Sequence, residues 1–148
     1  MSYVFGPVPS RRLGRSLGVD VVPFKTCSYD CIYCQLGRTT SKTVERKAWA
    51  PIDAVLADLR EKLASKPDYI TLSGSGEPTL PAELGDLIAG IRAMTDVPTA
   101  VLTNGSLLWR PEVCEAVAAA DLVVPSLDAG HDGMYQAVNR PHPDLRFD

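Results

Sequence analysis

Short runs of apolar and β-branched residues alternate along this chain with longer segments of helical periodicity. Four of these runs predict buried strands, at residues 17–24, 69–72, 99–103 and 122–125. Between the runs, apolar residues recur with the i, i+3, i+4 spacing of a helix that lies with one face on a sheet. This spacing predicts helices at residues 52–63, 84–91 and 113–117, and a fourth from near residue 132 to before Pro141.

Three of the predicted helices are expected to have a proline at or near their first turn. Pro51, Pro81 and Pro111 stand where the helical patterns start, and an acid follows each of them within two residues. Proline has no N–H to satisfy in the first turn, and a carboxylate there interacts favourably with the helix dipole.

A strand followed by a helix, repeated along the chain, implies parallel strands joined by right-handed crossovers. The fold class expected is therefore α/β, either an open sheet or part of a βα barrel. The chain has 148 residues, 45% of them hydrophobic, which suits one core. We expect a single domain over residues 1–148, without a linker or an internal repeat.

Composition and charge exclude several classes of function. No apolar run approaches the roughly 18 residues that span a bilayer, and the first residues lack a signal-peptide layout, so we expect a cytoplasmic protein without a membrane partner. The net charge of −3 argues against binding nucleic acid through bulk charge. Residues 1–47 nevertheless carry eight Lys and Arg against three acids. This segment, with Arg11, Arg12 and Arg15, suits either a solvated surface or contact with an anionic substrate.

A long loop with three cysteines follows the first predicted strand. Ligands of parallel sheets bind beyond the carboxyl ends of the strands, which is where this loop is expected. Residues 25–50 exceed the roughly 12–15 residues usual for an unstructured connection. The loop holds Cys27, Cys31 and Cys34 in a C-x3-C-x2-C pattern. In a reducing compartment, thiols so close together suggest an iron–sulfur cluster or zinc rather than disulfides.

The spacing favours iron over zinc. Structural zinc takes four ligands, typically in two pairs, and no second pair follows here, because Cys114, His131 and His142 stand at no paired spacing. Three ligands would leave one iron of a four-iron cluster without a protein ligand, open to a substrate. A zinc-stabilised loop and an iron–sulfur electron carrier remain the alternatives. Cys114 lies in the third helical pattern and is predicted to be a small core residue.

Polar and glycine-rich segments follow the other predicted strands. Residues 73–78 read Ser-Gly-Ser-Gly-Glu-Pro, in which the glycines allow backbone to approach a ligand and Pro78 biases Glu77 toward an extended conformation. Further polar residues follow the next two strands: Asn104, Ser126 and Asp128. The position of all these residues on one expected edge makes them candidate ligand contacts, although each also suits an ordinary turn.

Several of these motifs resemble one family. The cysteine pattern, with Tyr33 directly before Cys34, resembles the C-x3-C-x-aromatic-C signature of the radical S-adenosylmethionine (SAM) enzymes. Residues 73–78 resemble the Gly-Gly-Glu-Pro motif of that family, with Ser75 in place of the first glycine. Residues 5–14, Phe-Gly-Pro-Val-Pro-Ser-Arg-Arg-Leu-Gly, resemble a little-characterised branch of iron–sulfur oxidoreductases, distantly similar to wyosine tRNA-modifying enzymes.

The resemblance covers essentially the whole chain and implies a mechanism. Cys27, Cys31 and Cys34 would each bind one iron of a 4Fe-4S cluster, and the amino and carboxylate groups of SAM would chelate the fourth. Reductive cleavage of SAM would yield methionine and a 5′-deoxyadenosyl radical that abstracts hydrogen from the substrate. The residues implied in SAM binding are Tyr33, which would lie against adenine, and Gly74, Ser75, Gly76, Glu77, Asn104, Ser126 and Asp128.

The family also sets expectations for the barrel and the partners. Radical SAM cores resemble six βα units that close most of a TIM barrel, and only about four such units fit here. A partial barrel, truncated after about four units, is therefore implied, with an open edge at the last strand. An electron donor such as flavodoxin or ferredoxin is expected. The substrate class is open between tRNA, a peptide and a small molecule.

Overall fold

The main sheet contains one antiparallel and four parallel strands, in a computed structural model that describes residues 2–147. These strands are β1 (Val4–Ser10), β2 (Gly14–Val19), β5 (Tyr69–Leu72), β6 (Thr99–Thr103) and β7 (Leu122–Pro125). They lie side by side in the order β1-β2-β5-β6-β7, with β1 antiparallel to β2 and the others parallel. Two short strands, β3 (Thr26–Cys27) and β4 (Ser41–Lys42), form a separate parallel pair.

Helices connect the parallel strands. They are α1 (Ile52–Lys62), followed by a 3₁₀ turn at Leu63–Ser65, α2 (Leu84–Met94), α3 (Pro111–Ala118) and α4 (Asp132–Val138). The α/β class with alternating βα units is therefore confirmed, and the arrangement is consistent with part of a radical SAM barrel. None of the described helices is long and apolar enough to cross a membrane.

The core lies between one face of the sheet and the first three helices. Strand residues whose side chains point to this face, such as Leu17, Ile70 and Val101, are fully buried. They are alternate residues of their strands, since successive side chains point to opposite faces. The helices cover them with Val55, Leu59, Leu87, Ile88 and Ile91. The other sheet face is more polar, and on it Ser16 and Thr71 are joined by a hydrogen bond.

Two sequence expectations for local structure are wrong. Pro81 does not begin α2, which starts at Leu84, because the Pro81 backbone instead bridges to Lys47 in the long loop. The first parallel strand is Gly14–Val19 rather than 17–24, and β1 was not predicted. β1 carries two prolines and no regular alternation of burial, so its sequence lacks the periodic signal. An edge strand tolerates such prolines because part of its N–H row needs no ladder partner.

Asp58 on α1 holds the start of β1 and is the subject of a first prediction. Its Oδ2 atom accepts hydrogen bonds from the Tyr3 and Val4 backbone N–H groups at 2.8 and 2.9 Å, and Oδ1 lies 3.2 Å from Lys62 Nζ. Loss of a partner by buried donors costs about 1–3 kcal/mol, so Asp58→Ala is expected to lower the free energy of unfolding by that amount at neutral pH. Glu61→Ala on the same helix, at an exposed residue, is the control.

The effect of Asp58→Ala should depend on pH. Burial acts to raise the pKa of Asp58, but the hydrogen bonds from Tyr3 and Val4 outweigh it and hold the pKa below its ordinary value. The ionised carboxylate therefore stabilises the fold fully above the ordinary pKa of about 3.9, and this contribution is lost as the pH falls through the lowered pKa. Urea unfolding at several pH values checks this. A difference from wild type that does not shrink in acid would contradict it.

Candidate functional site

The cysteine loop lies against the segment that follows β5, at the carboxyl edge of the sheet. The Lys25 N–H donates to the Ser75 carbonyl at 2.7 Å, and the Glu77 N–H donates to the Thr26 carbonyl at 3.1 Å. Pairing of β3 with β4 then closes the base of the loop around Cys27. The cysteine segment and the glycine-rich segment, nearly fifty residues apart in sequence, are thus joined through their backbones.

The two glycines of the Ser-Gly-Ser-Gly-Glu-Pro segment stand where a side chain would not fit. A Cβ added to Gly76 would lie 1.8 Å from the Thr26 carbonyl oxygen. Gly74 has φ +120°, and a Cβ there would lie 2.8 Å from Cγ of Asp20. Ser75, which replaces a family glycine, has no positive φ, and its hydroxyl donates to the Asp20 carboxylate. A serine is therefore compatible with this backbone.

The other side of the cysteine loop is held by the end of α4. The Asp30 and Ile32 N–H groups donate to the Asn139 and Val138 carbonyls at 2.8 and 2.9 Å. Arg140 Nε donates to the Asp30 carbonyl at 2.6 Å. The hydrogen bond from the Thr39 N–H and the charge of Arg140 hold the pKa of the Asp30 carboxyl below its ordinary value. The loop is therefore fixed from two sides.

An apolar cluster packs beneath the same loop. Tyr29 in the loop meets Tyr135 of α4 edge to face, with ring centroids 5.5 Å apart. Buried side chains from several elements surround this pair: Val22, Leu80, Leu107, Val113, Ala129 and Leu145. Cys27 and Cys31 pack against the cluster. Cys27 and Cys31 thus pack on a small apolar cluster that is separate from the main core.

Each of the three cysteine sulfurs accepts a hydrogen bond from the side chain of another residue. The donors are Asn104 Nδ2 at 3.6 Å from Cys27, Asn139 Nδ2 at 3.3 Å from Cys31 and Lys25 Nζ at 3.0 Å from Cys34. All three cysteines are half-buried. N–H donors that surround partly buried sulfur are the outer contacts that tune thiolate ligands of iron–sulfur clusters. The residues present therefore fit a cluster held by three cysteines.

The described residues do not form a comparable site for a single metal ion. Within residues 2–147, no three His, Cys, Asp or Glu side chains form a group that could hold one ion. In a four-iron cluster each cysteine binds its own iron, so a cluster does not require three ligands that converge on one ion.

The two end cysteines of the motif differ electrostatically. Burial raises the pKa of the Cys27 thiol to about 11. Burial also acts to raise the pKa of Cys34, but the hydrogen bond and charge of Lys25 outweigh it and hold that pKa below its ordinary value. Because metal ligands must be thiolates, Cys34 is the sulfur better prepared to bind metal.

Glu77 is buried and fully engaged inside the protein. Its Oε1 accepts from the backbone and hydroxyl of Thr79 and from the Thr103 hydroxyl, and its Oε2 accepts from the Asn104 N–H at 2.8 Å. Burial raises the pKa of Glu77 although these bonds oppose the change. The side chain joins the carboxyl ends of β5 and β6, and a contact with the SAM amino group stays a prediction.

Three predicted SAM contacts line one cavity of about 800 Å³. They are Asn104, Ser126 and Asp128, from the loops after β6 and β7. The Tyr33 hydroxyl donates to the Asp128 carboxylate, to which Asn139 Nδ2 also donates at 2.9 Å. The Tyr33 ring is 55% exposed, so it is open to a ligand. Ser75, Gly76 and Glu77 instead contact the start of the cysteine loop.

Sequence reasoning missed Lys25 and Asn139. Neither belongs to a motif, and their contacts with Cys34 and Cys31 depend on the path of the folded loop. Cys114 was predicted to lie in the core, which is wrong. It is exposed on α3, and its thiol donates to the Leu108 carbonyl at 2.8 Å, because the buried face of this helix is formed by Val113 and Val117.

The fold and the three-cysteine loop together define the class of protein. A family model described as the radical SAM superfamily matches residues 21–147. The chain therefore belongs to the radical SAM superfamily.

Particular relatives refine this placement. A UPF0026 protein of Methanocaldococcus jannaschii is 42% identical over 152 residues, covering 100% of this chain and 47% of that protein. A UPF0026 protein of Synechocystis sp. is 42% identical over 139 residues, covering 93% of this chain and 52% of that protein. A protein named GTPase Obg of Brachyspira hyodysenteriae is 47% identical over 147 residues, covering 98% of this chain and 22% of that protein.

These relatives have two consequences. The UPF0026 relatives fit the little-characterised radical SAM branch that residues 5–14 predicted. The chain spans about half of the length of the UPF0026 relatives and less of the third protein.

Proposed function

We propose that this chain is the cofactor-binding part of an enzyme that holds a 4Fe-4S cluster through Cys27, Cys31 and Cys34 and cleaves SAM reductively. The observation that carries the proposal is the set of three sulfurs, each with a side-chain N–H donor: Lys25 at the start of the cysteine loop, Asn104 after β6 and Asn139 at the end of α4. When bound, the reduced cluster would supply the electron that breaks a carbon–sulfur bond of SAM and so provide a 5′-deoxyadenosyl radical for hydrogen abstraction.

The residues of this chain position the ligands. Asn104 connects the cysteine loop with the cavity of about 800 Å³, which it lines. Its backbone N–H donates to Glu77, and its side-chain amide donates to Cys27 and Ser28. Asp128 and Ser126 offer side-chain oxygens to hydroxyl groups of a nucleoside in that cavity. The exposed face of Tyr33 offers a surface on which adenine can stack.

For the substrate we propose a molecule with an anionic group. Arg11 and Arg12, in the turn between β1 and β2, line a second cavity of about 320 Å³, together with Leu102, Val124 and Ser126. Both arginines are exposed, and guanidinium groups bind carboxylates and phosphates in a bidentate manner. A tRNA, an acidic peptide and a phosphorylated small molecule share this chemistry. A reduced flavodoxin or ferredoxin is the proposed electron donor.

Formation of 5′-deoxyadenosine tests the proposal. The complete gene product is reconstituted with iron and sulfide without oxygen and incubated with dithionite and SAM. We expect 5′-deoxyadenosine and methionine in equal amounts, and none from a variant with all three cysteines replaced by alanine. A loaded cluster that gives no 5′-deoxyadenosine would refute the enzyme, and a cluster whose spectra ignore SAM would indicate an electron carrier. Bound zinc without acid-labile sulfide would indicate a zinc-stabilised loop.

A further inference from the structure

Lys25 is a buried lysine whose amine meets a cysteine of the cluster motif. Its side chain is 3% exposed, and Nζ lies 3.0 Å from Cys34 Sγ. The backbone holds this position on both sides, since the Lys25 N–H donates to the Ser75 carbonyl at 2.7 Å and its carbonyl accepts from the Ser41 N–H at 3.1 Å. The φ of +57° lies in the left-handed region, which a residue with a side chain adopts rarely.

The charge of Lys25 needs an anion, and acidic side chains do not provide it. The ion pairs within residues 2–147 involve other cations, and the hydrogen bond from Lys25 Nζ goes to Cys34. A buried ammonium without a partner is costly, so lysine is almost never buried unless it is paired. The Cys34 sulfur, 3.0 Å from Nζ, is the group that the structure places against this ammonium, and as a ligand of a cluster it would carry the negative charge that the ammonium needs.

We propose that Lys25 is a positioning residue that donates a hydrogen bond to the Cys34 sulfur in the cluster-bound protein and thereby raises the reduction potential of the cluster. This inference rests on the proposed function. Net charge and hydrogen bonds to the sulfurs are among the factors that set such potentials. A cation next to a ligand sulfur stabilises the reduced cluster, which carries one more negative charge, more than the oxidised cluster. Lys25 thus makes the cluster easier to reduce.

A purely structural role predicts something different. If Lys25 only fills space, its aliphatic stem is what counts, and methionine of similar length replaces it. Lys25→Met therefore keeps the stem and removes the charge and the N–H donors, whereas Lys25→Arg keeps a charged donor. Lys42 in β4 is the matched control, because it is a lysine of the same loop whose exposed charge is screened by solvent.

The test is a redox titration followed by electron paramagnetic resonance (EPR), on the complete gene product and its variants, each reconstituted without oxygen. At a fixed potential, Lys25→Met is expected to lower the ratio of reduced to oxidised cluster about tenfold, which is about 59 mV for one electron. Lys25→Arg should recover most of this shift, and Lys42→Met should titrate as wild type does. A fully loaded Lys25→Met protein with the wild-type potential would overturn the inference.

Cluster content gives a second readout if the methionine variant does not load. Iron and sulfide per chain are then compared for Lys25→Arg and for Lys25→Gln, which keeps a neutral donor. Loading by the arginine variant alone supports the role of the charge. Loading by the glutamine variant with the wild-type potential, or failure of the arginine variant, would overturn it. A wild-type protein that takes up no cluster contradicts the proposed function itself, and is seen before any variant is compared.

Discussion

Replacement of Cys27, Cys31 or Cys34 by alanine is expected to abolish cluster binding, whereas Cys114→Ala should leave it unchanged. Each of the three sulfurs is one of only three protein ligands proposed for the cluster, so no neighbouring ligand stands in for a lost one. Cys114 has the same chemistry but lies exposed on α3, with its thiol bonded to the Leu108 carbonyl. The comparison therefore shows whether cluster binding depends on the position of a cysteine or only on the number of cysteines in the chain.

Iron and acid-labile sulfide per chain, with the visible absorption of the reconstituted protein, measure this effect. The three variants should lose nearly all sulfide while Cys114→Ala retains the wild-type amount. Circular dichroism of the proteins without iron and sulfide provides the folding control. The variants should remain folded, because the apolar residues packed beneath the cysteine loop are mainly other residues. Full loading of any one of the three variants would show that its cysteine is not a ligand.

Gly76→Ala should be the most damaging alanine substitution among the described glycines. The added Cβ would lie 1.8 Å from the Thr26 carbonyl oxygen, a backbone atom that no side-chain rotation can move. Overpacking typically costs about 1–3 kcal/mol, and a clash with backbone is expected at or above the upper end of that range. The displaced segment would also lose the bond from the Glu77 N–H to Thr26, next to Cys27.

Urea unfolding and cluster content should both report the Gly76→Ala change. Gly130→Ala is the matched control, since no heavy atom lies within 4 Å of a Cβ added there. We expect the Gly76 variant to unfold at much lower urea and to load less cluster, and the Gly130 variant to behave as wild type within about 0.5 kcal/mol. Equal stability of both variants would contradict the proposed close contact between the two loops.

The helices and three of the four parallel strands could be predicted because their signals are local. The spacing of apolar residues in α1 and the proline that opens α3 depend on neighbours within a few positions, and both helices are found where they were expected. β1 lacked such a signal, because an edge strand with prolines and exposed residues has no apolar face to alternate. Its place in the sheet is determined by contacts with β2 and α1 instead.

The candidate site likewise has features that the sequence predicts and features that it does not. The cysteine spacing is a local pattern, and the structure brings the loops that follow β2, β5 and β6 together, as parallel strands require. The donors from Lys25 and Asn139 depend on how the folded loop crosses other elements, which no spacing in the sequence encodes. Glu77 combines both kinds of feature. Its motif is visible in the sequence, whereas the four hydrogen bonds that its carboxylate accepts inside the protein are not.

Mössbauer spectroscopy of the reconstituted complete gene product, labelled with ⁵⁷Fe and recorded without and with SAM, tests the central claim most directly. Three cysteine ligands predict a 4Fe-4S cluster in which a single iron site changes its isomer shift when SAM binds, while the cysteine-bound irons stay as they were. A cluster whose irons all ignore SAM would contradict the claim of an open iron, and so would a protein that binds only zinc.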